Sequence, residues 1–288
     1  MNRKSKVLLS GSALLCLMFP NAFDRSAVCY SAEPQKGDQA AASSPSFSAN
    51  AEVVDLSSVF NGYTGTFLML NEKTGKAICY NPARAKQRFS PCSTFKIFNA
   101  LAGLDCGVLS GKDDLEKWDG KKDPRVELNK DHTLQSAMKD SVVWYFQRVA
   151  QKIGEERMKN YLHAVHYGNM DMSAGLTRFW LSDDSIKLSA DEQIEFLRRL
   201  DQRELPFSEK AMDTVSEIIK VKKTDRGELS GKTGTLGKNN KRVMGWFVGY
   251  VKHDNDTYIF ATNIAGSDVW GAKARQITER ILEQRGLL

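Results

Sequence analysis

The order of strand-like and helix-like segments is the feature that most limits the folds open to this chain. Alternating or continuous apolar runs bounded by turn residues predict strands, and they occur at 64–70, 77–80, 243–251 and 257–263; a further strand is predicted to start at 232–235. Between the second and third of these runs the chain is mainly helical over 93–223, and an amphipathic helix follows the last run at 272–284. Strands on both sides of a helical stretch, without regular alternation of strand and helix, predict an α+β fold. We expect a largely antiparallel sheet flanked by helices, with the mainly helical region inserted.

Local signals place one turn and one helix start within this plan. Residues 71–76 are polar and contain a glycine, which predicts the turn that joins the first two strands into a hairpin. Ser189 is a favourable N-cap, and Glu192, three residues later, completes a capping box. No internal repeat is visible, and residues 33–288 are predicted to form a single domain.

The first 32 residues have the layout of a secretory signal peptide. Three basic side chains near the start precede an apolar run at 7–19, and small residues follow up to Ala32, the predicted cleavage point. The run is shorter than the roughly 20 residues that a membrane-spanning helix needs, and a retained anchor is the alternative. We therefore predict an exported protein, periplasmic or secreted, without stable membrane insertion after cleavage. Residues 33–50, rich in alanine, serine and glycine, are predicted to be mobile.

Charge and cysteine content argue against two kinds of partner. The formal charge of +6 falls to +3 without residues 1–32, which carry four basic side chains and one acidic one. A mildly basic surface with dispersed lysines does not predict nucleic-acid binding. Cys79, Cys92 and Cys106 remain in the mature chain, so at least one thiol is unpaired. Their spacing is not that of metal ligands, and no metal site is predicted.

A serine and a lysine three residues apart open an apolar helical stretch. Residues at this spacing share one face of a helix, so Lys96 can reach Ser93. A serine hydroxyl is a weak nucleophile until a neighbouring base takes its proton. A helix N-terminus also provides backbone N–H groups that suit a developing oxyanion. The pattern predicts a nucleophilic serine with a lysine as its base.

A second motif, Lys232-Thr233-Gly234, begins the first of the C-terminal strands. There Lys232 and Thr233 can line a groove, while the glycine lets a ligand approach the backbone. Each motif is common by itself. A Ser-x-x-Lys at a helix start followed about 140 residues later by Lys-Thr-Gly is the pattern of penicillin-recognising serine enzymes.

Four further motifs make the chain resemble the class D (oxacillinase-type) β-lactamases. They are Ser141-Val142-Val143, Tyr167-Gly168-Asn169, Phe179-Trp180-Leu181 and Gly245-Trp246-Phe247-Val248-Gly249. The similarity extends over residues 51–288, nearly all of the predicted mature chain. It implies a β-lactamase/transpeptidase-like fold and hydrolysis of the β-lactam amide bond of penicillin-type antibiotics, which confers resistance. The implied partner is a small-molecule β-lactam.

The resemblance implies a nucleophile and a modified base. Ser93 becomes acylated, and Lys96 acts as general base for acylation and deacylation in the form of a carbamate, N6-carboxylysine. This modification needs CO2 or bicarbonate, and no other cofactor is implied. An ordinary lysine, with a pKa of about 10.4, is protonated at neutral pH, whereas burial exposes the neutral amine that adds CO2. Trp180 can donate its indole N–H to the carbamate. The residues expected to form the apolar pocket are Phe95, Ile97, Val143 and Leu181.

The resemblance also implies a proton relay, an oxyanion hole and a carboxylate site. Ser141 passes a proton to the leaving nitrogen with the electrostatic support of Lys232, and the backbone N–H groups of Ser93 and Thr235 bind the oxyanion. Arg275 binds the substrate carboxylate, with Lys273 as the alternative. Tyr167 and Asn169 shape the site. The implied substrate-binding residues are Thr233, Gly234, Thr235, Arg275, Val143 and Leu181.

Two other functions on the same scaffold stay open. Sensor domains of β-lactam receptors resemble class D enzymes and become acylated without turnover, although a long membrane portion precedes them. A cell-wall transpeptidase or carboxypeptidase would share the acylation machinery, but it usually has asparagine where this chain has Val143. A Ser-His-Asp hydrolase is not predicted, because no Gly-x-Ser-x-Gly elbow is present. His163 and His166 are interpreted as a surface pair rather than metal ligands.

Overall fold

The computed structural model describes residues 46–288, and a seven-stranded sheet organises them. The strands of this sheet lie in the order β1-β3-β2-β9-β8-β7-β6, and β4 and β5 form a separate pair. Only β1 and β3 pair in parallel within the large sheet. The strands are β1 (Glu52–Val53), β2 (Thr64–Asn71), β3 (Ala77–Tyr80), β4 (Leu115–Glu116), β5 (His132–Thr133), β6 (Lys220–Lys223), β7 (Gly227–Lys238), β8 (Lys241–His253) and β9 (Asp256–Ala265).

Nine α-helices within 46–288 cover the two faces of the sheet. They are α1 (Ser57–Phe60), α2 (Pro82–Ala85), α3 (Lys96–Asp105), α4 (Leu134–Asp140), α5 (Val143–Ile153), α6 (Glu155–Val165), α7 (Ala190–Asp201), α8 (Glu209–Ile218) and α9 (Gly271–Gln284). Three 3-10 turns accompany them, at Phe47–Ala49, Cys92–Phe95 and Val126–Leu128. The predicted α+β fold, with a largely antiparallel sheet and an inserted helical region, is confirmed.

Side chains of β8 alternate between two cores. Trp246 and Val248 belong to the larger core, which the inserted helices complete, whereas Phe247 and Val251 belong to the smaller core beneath α9. Successive residues of a strand point to opposite faces, so a strand that is apolar throughout must be covered on both sides. This explains why the chain needs α9 as well as the long helical insertion.

Most local predictions agree with the structure. The predicted hairpin is formed by β2 and β3, which pair antiparallel with Phe67 opposite Tyr80. The capping box opens α7: Glu192 N–H donates to Ser189 Oγ at 3.1 Å, and Ser189 N–H donates to the Glu192 carboxylate at 2.8 Å. The last helix begins at Gly271, one residue before the predicted start.

Two predicted boundaries were wrong. The strand expected to begin at Lys232 begins at Gly227, so Lys232 lies in its middle. Its polar residues stay extended because β7 pairs with β8 along its whole length, and this partner overrides the weak local pattern. Residues 220–223, assigned to the helical region, form the edge strand β6 for the same reason, by pairing with β7.

The N-terminal predictions lie largely outside the described residues. The signal peptide at 1–32 and most of the segment 33–50 are not described. From Ser46 onward the chain is held against the domain, since Ser48 N–H and Oγ donate to the Asp191 carboxylate at 2.7 and 2.6 Å. This part of the segment 33–50 therefore contacts the folded domain, and the mobility of the segment stays a prediction.

Two further observations concern membrane and cysteine chemistry. Among residues 46–288, none of the helices combines the length and the apolar character needed to cross a membrane. The three thiols of Cys79, Cys92 and Cys106 are free, and Cys79 and Cys92 are buried.

Candidate active site

Ser93 lies on a tight turn at the entrance to α3. The 3-10 turn Cys92–Phe95 continues directly into the helix, and Thr94 Oγ1 donates to Pro91 O at 2.8 Å to close its start. Cys92 has a left-handed backbone, with φ of 51°, which is unusual for a residue with a side chain. Burial raises the pKa of the Cys92 thiol to about 12. Cys92 is therefore a neutral, buried neighbour of the nucleophile, and Ser93 itself stays partly exposed.

Lys96 is fully buried directly behind Ser93. Its Nζ lies 2.7 Å from Ser93 Oγ and 5.6 Å from the centre of the Phe146 ring. Burial lowers the pKa of Lys96 well below its ordinary value, and the nearby charges of Lys232 and Arg125 lower it further. A buried lysine of this kind exposes a neutral amine at hydrogen-bond distance from the serine hydroxyl, which is the arrangement a general base requires.

Trp180 contributes a hydrogen-bond donor to the same aromatic region. Its ring stacks on Phe95 at 5.2 Å, and its backbone carbonyl accepts a hydrogen bond from Ser90 Oγ at 3.2 Å. The indole Nε1 is buried and has no hydrogen-bond partner within residues 46–288. Since buried polar groups are rarely unpaired, this N–H is suited to an acceptor absent from the chain itself. An anionic oxygen is the kind of acceptor that such an N–H binds.

Ser141 and Lys232 meet across 91 residues of sequence. Ser141 ends α4 in a left-handed conformation, with φ of 57°, and Lys232 Nζ donates to its Oγ at 3.0 Å. Lys232 Nζ also donates to Thr233 O at 3.0 Å. Burial, with a contribution from the charge of Arg125, lowers the pKa of Lys232 to about 7. The pair can therefore hold or release a proton near neutral pH.

The close approach of β7 to the serine turn explains the glycine of the Lys-Thr-Gly motif. A Cβ on Gly234 would lie 2.8 Å from Pro91 O and 3.2 Å from the Thr94 side chain. Any side chain at this position would separate β7 from the turn that carries Ser93.

The free edge of β7 faces the serine turn. Gly231 N–H donates to Ile219 O, on the side away from β8. Alternate residues of an antiparallel strand point their N–H groups to the same side, and β7 pairs regularly with β8 from Gly231 to Thr235. The Thr235 N–H is therefore directed to the edge that β6 leaves uncovered, as an oxyanion donor must be.

Arg275 lies at the same edge, near the start of α9. Together with Lys232 and Thr233 it lines one cavity, and its Nε donates to Glu279 at 2.6 Å. Lys273, the alternative carboxylate ligand, lies over the rings of Tyr63 and Trp270 instead. The helix start is fixed to β7, because Gly271 N–H donates to Thr235 Oγ1 at 3.0 Å. The structure therefore favours Arg275 over Lys273.

The Tyr-Gly-Asn motif holds the loop that carries Trp180. Gly168 has φ of +59°, and a Cβ there would lie 2.2 Å from Lys187 O. Asn169 accepts a hydrogen bond from Lys187 N–H at 2.7 Å and donates to Ser185 O at 3.2 Å. Tyr167 packs edge-on against Phe95. The contacts of Tyr167 and Asn169 are therefore structural, and their role in shaping the site stays a prediction.

The remaining predicted residues lie close by in the chain. Val143 begins α5 directly after Ser141-Val142, and Leu181 follows Trp180; both side chains are partly exposed. Phe95 and Ile97 are fully buried.

Two residues near the lysines were not predicted from the sequence. Phe146 is one helical turn after Val143 on α5, so the helical period could have identified it. Arg125 lies in the loop between β4 and β5, and its charge reaches both Lys96 and Lys232. Nothing in the local sequence indicates that this loop approaches the site.

Metal chemistry finds no support in the described part of the chain. His163 and His166 are both exposed on and after α6, which agrees with their interpretation as a surface pair. Within residues 46–288, no group of three or more His, Cys, Asp or Glu side chains is arranged to hold a metal ion.

Comparison with known proteins relates the whole domain to β-lactam-binding serine proteins. The family described as penicillin-binding protein transpeptidase domain matches residues 40–283. The probable β-lactamase YbxI of Bacillus subtilis is 41% identical over 239 residues, 83% of this chain and 87% of that protein. The solved structure of BPu1 β-lactamase has a TM-score of 0.76 and 42% identity, covering 82% of this chain and 97% of that one.

A receptor is nearly as similar. The regulatory protein BlaR1 of Bacillus licheniformis is 36% identical over 241 residues, 83% of this chain, but the match spans only 40% of the receptor's length. The C-terminal domain of this penicillin receptor superposes with a TM-score of 0.78, covering 83% of this chain and 98% of the domain. Similarity of fold therefore does not decide between a β-lactamase and a receptor domain for this chain.

Proposed function

Because this chain belongs to the class D β-lactamases, within the penicillin-binding transpeptidase family, we propose that it hydrolyses the β-lactam amide bond through an acyl-enzyme on Ser93. The observation that carries this proposal is the 2.7 Å distance between Lys96 Nζ and Ser93 Oγ in a fully buried setting. The substrates are penicillin-type antibiotics, and the consequence for the cell is resistance to them.

Acylation begins with removal of the Ser93 proton. The Ser93 oxygen attacks the β-lactam carbonyl carbon while the proton moves to the basic group at Lys96. Negative charge then develops on the carbonyl oxygen, which the backbone N–H groups of Ser93 and Thr235 stabilise. The orientation of Thr235 N–H towards the free edge of β7 supports this assignment.

Opening of the ring needs a proton at the leaving nitrogen. Ser141 Oγ gives its proton to the nitrogen and is replenished from Lys232, 3.0 Å away. A lysine whose pKa is about 7 can donate in this step and be reprotonated near neutral pH. Before deacylation the base at Lys96 gives up the Ser93 proton to solvent; it then takes a proton from the attacking water and returns it to Ser93 Oγ as the ester bond breaks.

The substrate carboxylate is held at the other end of the site. Thr233 and Arg275 line the cavity that begins at Lys232. The Arg275 hydrogen bond to Glu279 uses Nε, which leaves the terminal guanidinium nitrogens for a carboxylate. Gly234 lets the substrate approach the strand, and Val143 and Leu181 are proposed to contact its apolar part.

We propose N6-carboxylation of Lys96 by CO2 or bicarbonate as the source of the base. When present, this group supplies an anionic oxygen that accepts protons at neutral pH. Lys96 provides a buried amine with a strongly lowered pKa, and Trp180 provides a buried N–H without a partner within residues 46–288. No metal is invoked.

We also propose that the protein is exported to the periplasm or the exterior, after removal of residues 1–32. The charged, apolar and small-residue segments at the start of the chain support this proposal.

A β-lactam receptor or trap is the second candidate. The similarity to BlaR1 and to its solved domain supports it. Both candidates require acylation of Ser93, and they differ only in whether the acyl-enzyme is hydrolysed.

Hydrolysis of a chromogenic cephalosporin by residues 33–288 tests both candidates. It should be measured with and without bicarbonate, beside Ser93→Ala and Lys96→Ala. Sustained turnover that rises with bicarbonate and is lost in both variants is the expected result. A single stoichiometric burst with no further turnover, absent in Ser93→Ala, would mean that the acyl-enzyme is not hydrolysed. The receptor or trap would then be the correct function.

A further inference from the structure

A cavity of about 400 Å³ is lined on one side by Lys232 and Thr233, and Ser93 is not among its lining residues. Its other walls come from α4, from the end of α8 and from Lys220 at the start of β6. This volume is within the range of small-molecule subsites. The proposed catalytic steps use only its rim, at Lys232, Thr233 and Arg275.

The cavity exists because β6 stops short. Lys220 pairs with Ser230, and Gly231 N–H makes the last hydrogen bond to the segment before β6. Beyond this point the edge of β7 is uncovered. Gly231 adds no side chain, and a Cβ there would lie 2.9 Å from the Phe247 ring. The open space is therefore built into the strand pairing and is continuous with the Lys-Thr-Gly motif.

Cations dominate the walls. The lining includes one carboxylate, Glu217, against Lys139, Lys220, Lys232 and Arg275. Glu217 is neutralised by Lys112 at 2.5 Å, Lys220 pairs with Glu228 and Arg275 with Glu279.

Of the cations at this cavity, Lys139 and Lys232 make no ion pair within residues 46–288, and Lys139 is the exposed one. It lies in the last turn of α4. An uncommitted ammonium at the rim of a cationic cavity favours an anionic group inside it.

The chemistry of the substrate determines which group reaches this space, and the following inference rests on the proposed function. In cephalosporins the C3 substituent is on the ring atom next to the one that carries the carboxylate, so a carboxylate at Thr233 and Arg275 brings C3 to the rim of this cavity. We propose that the cavity is a subsite for the C3 substituent of cephalosporins, and that Lys139 makes it prefer an anionic substituent over a neutral one.

Two cephalosporins that differ in one charge test the preference. Both carry the same acylamino side chain; one has a carboxymethylthio group at C3 and the other its methyl ester. The second-order rate constant for acylation is measured by stopped flow, so the test does not depend on turnover. The ratio of acid to ester should fall by roughly two- to fivefold in Lys139→Gln, the range of an exposed charge pair. The preference should also weaken at 1 M salt.

Two further variants separate charge from shape. Lys73→Gln removes an exposed lysine from the β2–β3 turn, outside the cavity lining, and should leave the ratio unchanged. Gln135→Trp places a large side chain at the rim. It should slow acylation by both thioethers roughly tenfold relative to a 3-methyl cephalosporin, as expected when a pocket is filled.

The possible failures are distinguishable. If neither the cephalosporins nor a penicillin acylate the protein, the proposed function fails and the subsite with it; if only the penicillin acylates it, the proposed function stands and the subsite is overturned. If both thioethers acylate it, but Lys139→Gln keeps the acid-to-ester ratio and Gln135→Trp affects all three cephalosporins alike, the proposed function stands and the subsite is overturned.

Discussion

The two buried lysines of the site have opposite surroundings. Lys96 lies among aromatic rings, and Ser93 Oγ is the hydrogen-bond partner of its Nζ. Lys232 instead has the oxygens of Ser141 and Thr233 within 3.0 Å. Burial lowers the pKa of both, well below the ordinary value for Lys96 and to about 7 for Lys232.

This difference shows how one residue type can serve two purposes. A dry aromatic wall favours a neutral amine, which is the form that can accept a proton or add CO2. Polar oxygen acceptors stabilise the ammonium and leave it poised between charged and neutral forms. The base side and the acid side of the reaction are thereby assigned to different walls of the same site.

The largest expected effect follows from removing the lysine on the dry side. Lys96→Met keeps an unbranched apolar chain but abolishes the base, so acylation should slow by about 10²- to 10⁴-fold. At pH 7 Lys96 is protonated in the unfolded chain, but burial in the folded protein favours its neutral form, so the charge opposes folding. Lys96→Met removes this cost and should therefore raise Tm at pH 7. The shift is about 2–4 °C per kcal/mol for a chain of this size.

Stopped-flow acylation with bicarbonate present checks the first part of this prediction, and thermal melts in CO2-depleted buffer check the second. A less than tenfold loss of acylation rate would mean that Lys96 is not the base. A lower Tm would mean that its burial does not cost stability.

The second effect concerns the unpaired donor near Lys96. Trp180→Phe keeps the stacking on Phe95 but removes the buried N–H. A hydrogen bond to a charged group contributes about 1.5–3 kcal/mol. The bicarbonate concentration for half-maximal activity should therefore rise roughly 10- to 100-fold.

Trp246→Phe is the matched control, because the indole N–H of Trp246 already donates to Ser90 O at 2.9 Å. It should alter stability without changing the bicarbonate requirement. An equal rise in both variants would mean that the Trp180 N–H does not bind the carbamate.

The third prediction concerns Lys232, which has polar surroundings, and is tested through the pH dependence of kcat/KM. Burial places the pKa of Lys232 at about 7, so its protonated fraction falls as the pH rises through this value. The charged form is the one that replenishes the Ser141 proton, so kcat/KM should decrease above this pKa by about tenfold per pH unit. Lys232→Arg stays charged and should remove this alkaline limb, although its different shape lowers kcat/KM at every pH. A limb that persists unchanged in Lys232→Arg would assign it to another group.

The smallest effect comes from a charge shared by both lysines. Arg125 is about half exposed, and its charge lowers the pKa of Lys96 and of Lys232. Arg125→Gln should shift the alkaline limb upward by a few tenths of a pH unit, because exposed charges contribute roughly 0.2–1 kcal/mol. The shift should diminish in high salt. Lys121→Gln, on the same loop, is the control, and an equal shift in both variants would contradict a specific role for Arg125.

Sequence patterns were sufficient for features that depend only on residues close together in the chain. The spacing of Ser93 and Lys96 follows from the period of a helix, and the Ser189–Glu192 capping box is complete within four residues. Boundaries were less reliable. The start of β7 was displaced because its polar residues remain extended only through pairing with β8.

By itself, the sequence determined the fold class, the hairpin, the last helix and the identity of the residues with reactive groups, since these depend on periodicity and on side-chain chemistry. Only the tertiary structure decided what each group can do. Phe146 reaches Lys96 and Trp180 stacks on Phe95 from distant segments, and Lys232 meets Ser141 across 91 residues. A lysine's pKa depends on how much water and which charges surround it, and these surroundings exist only after the chain has folded.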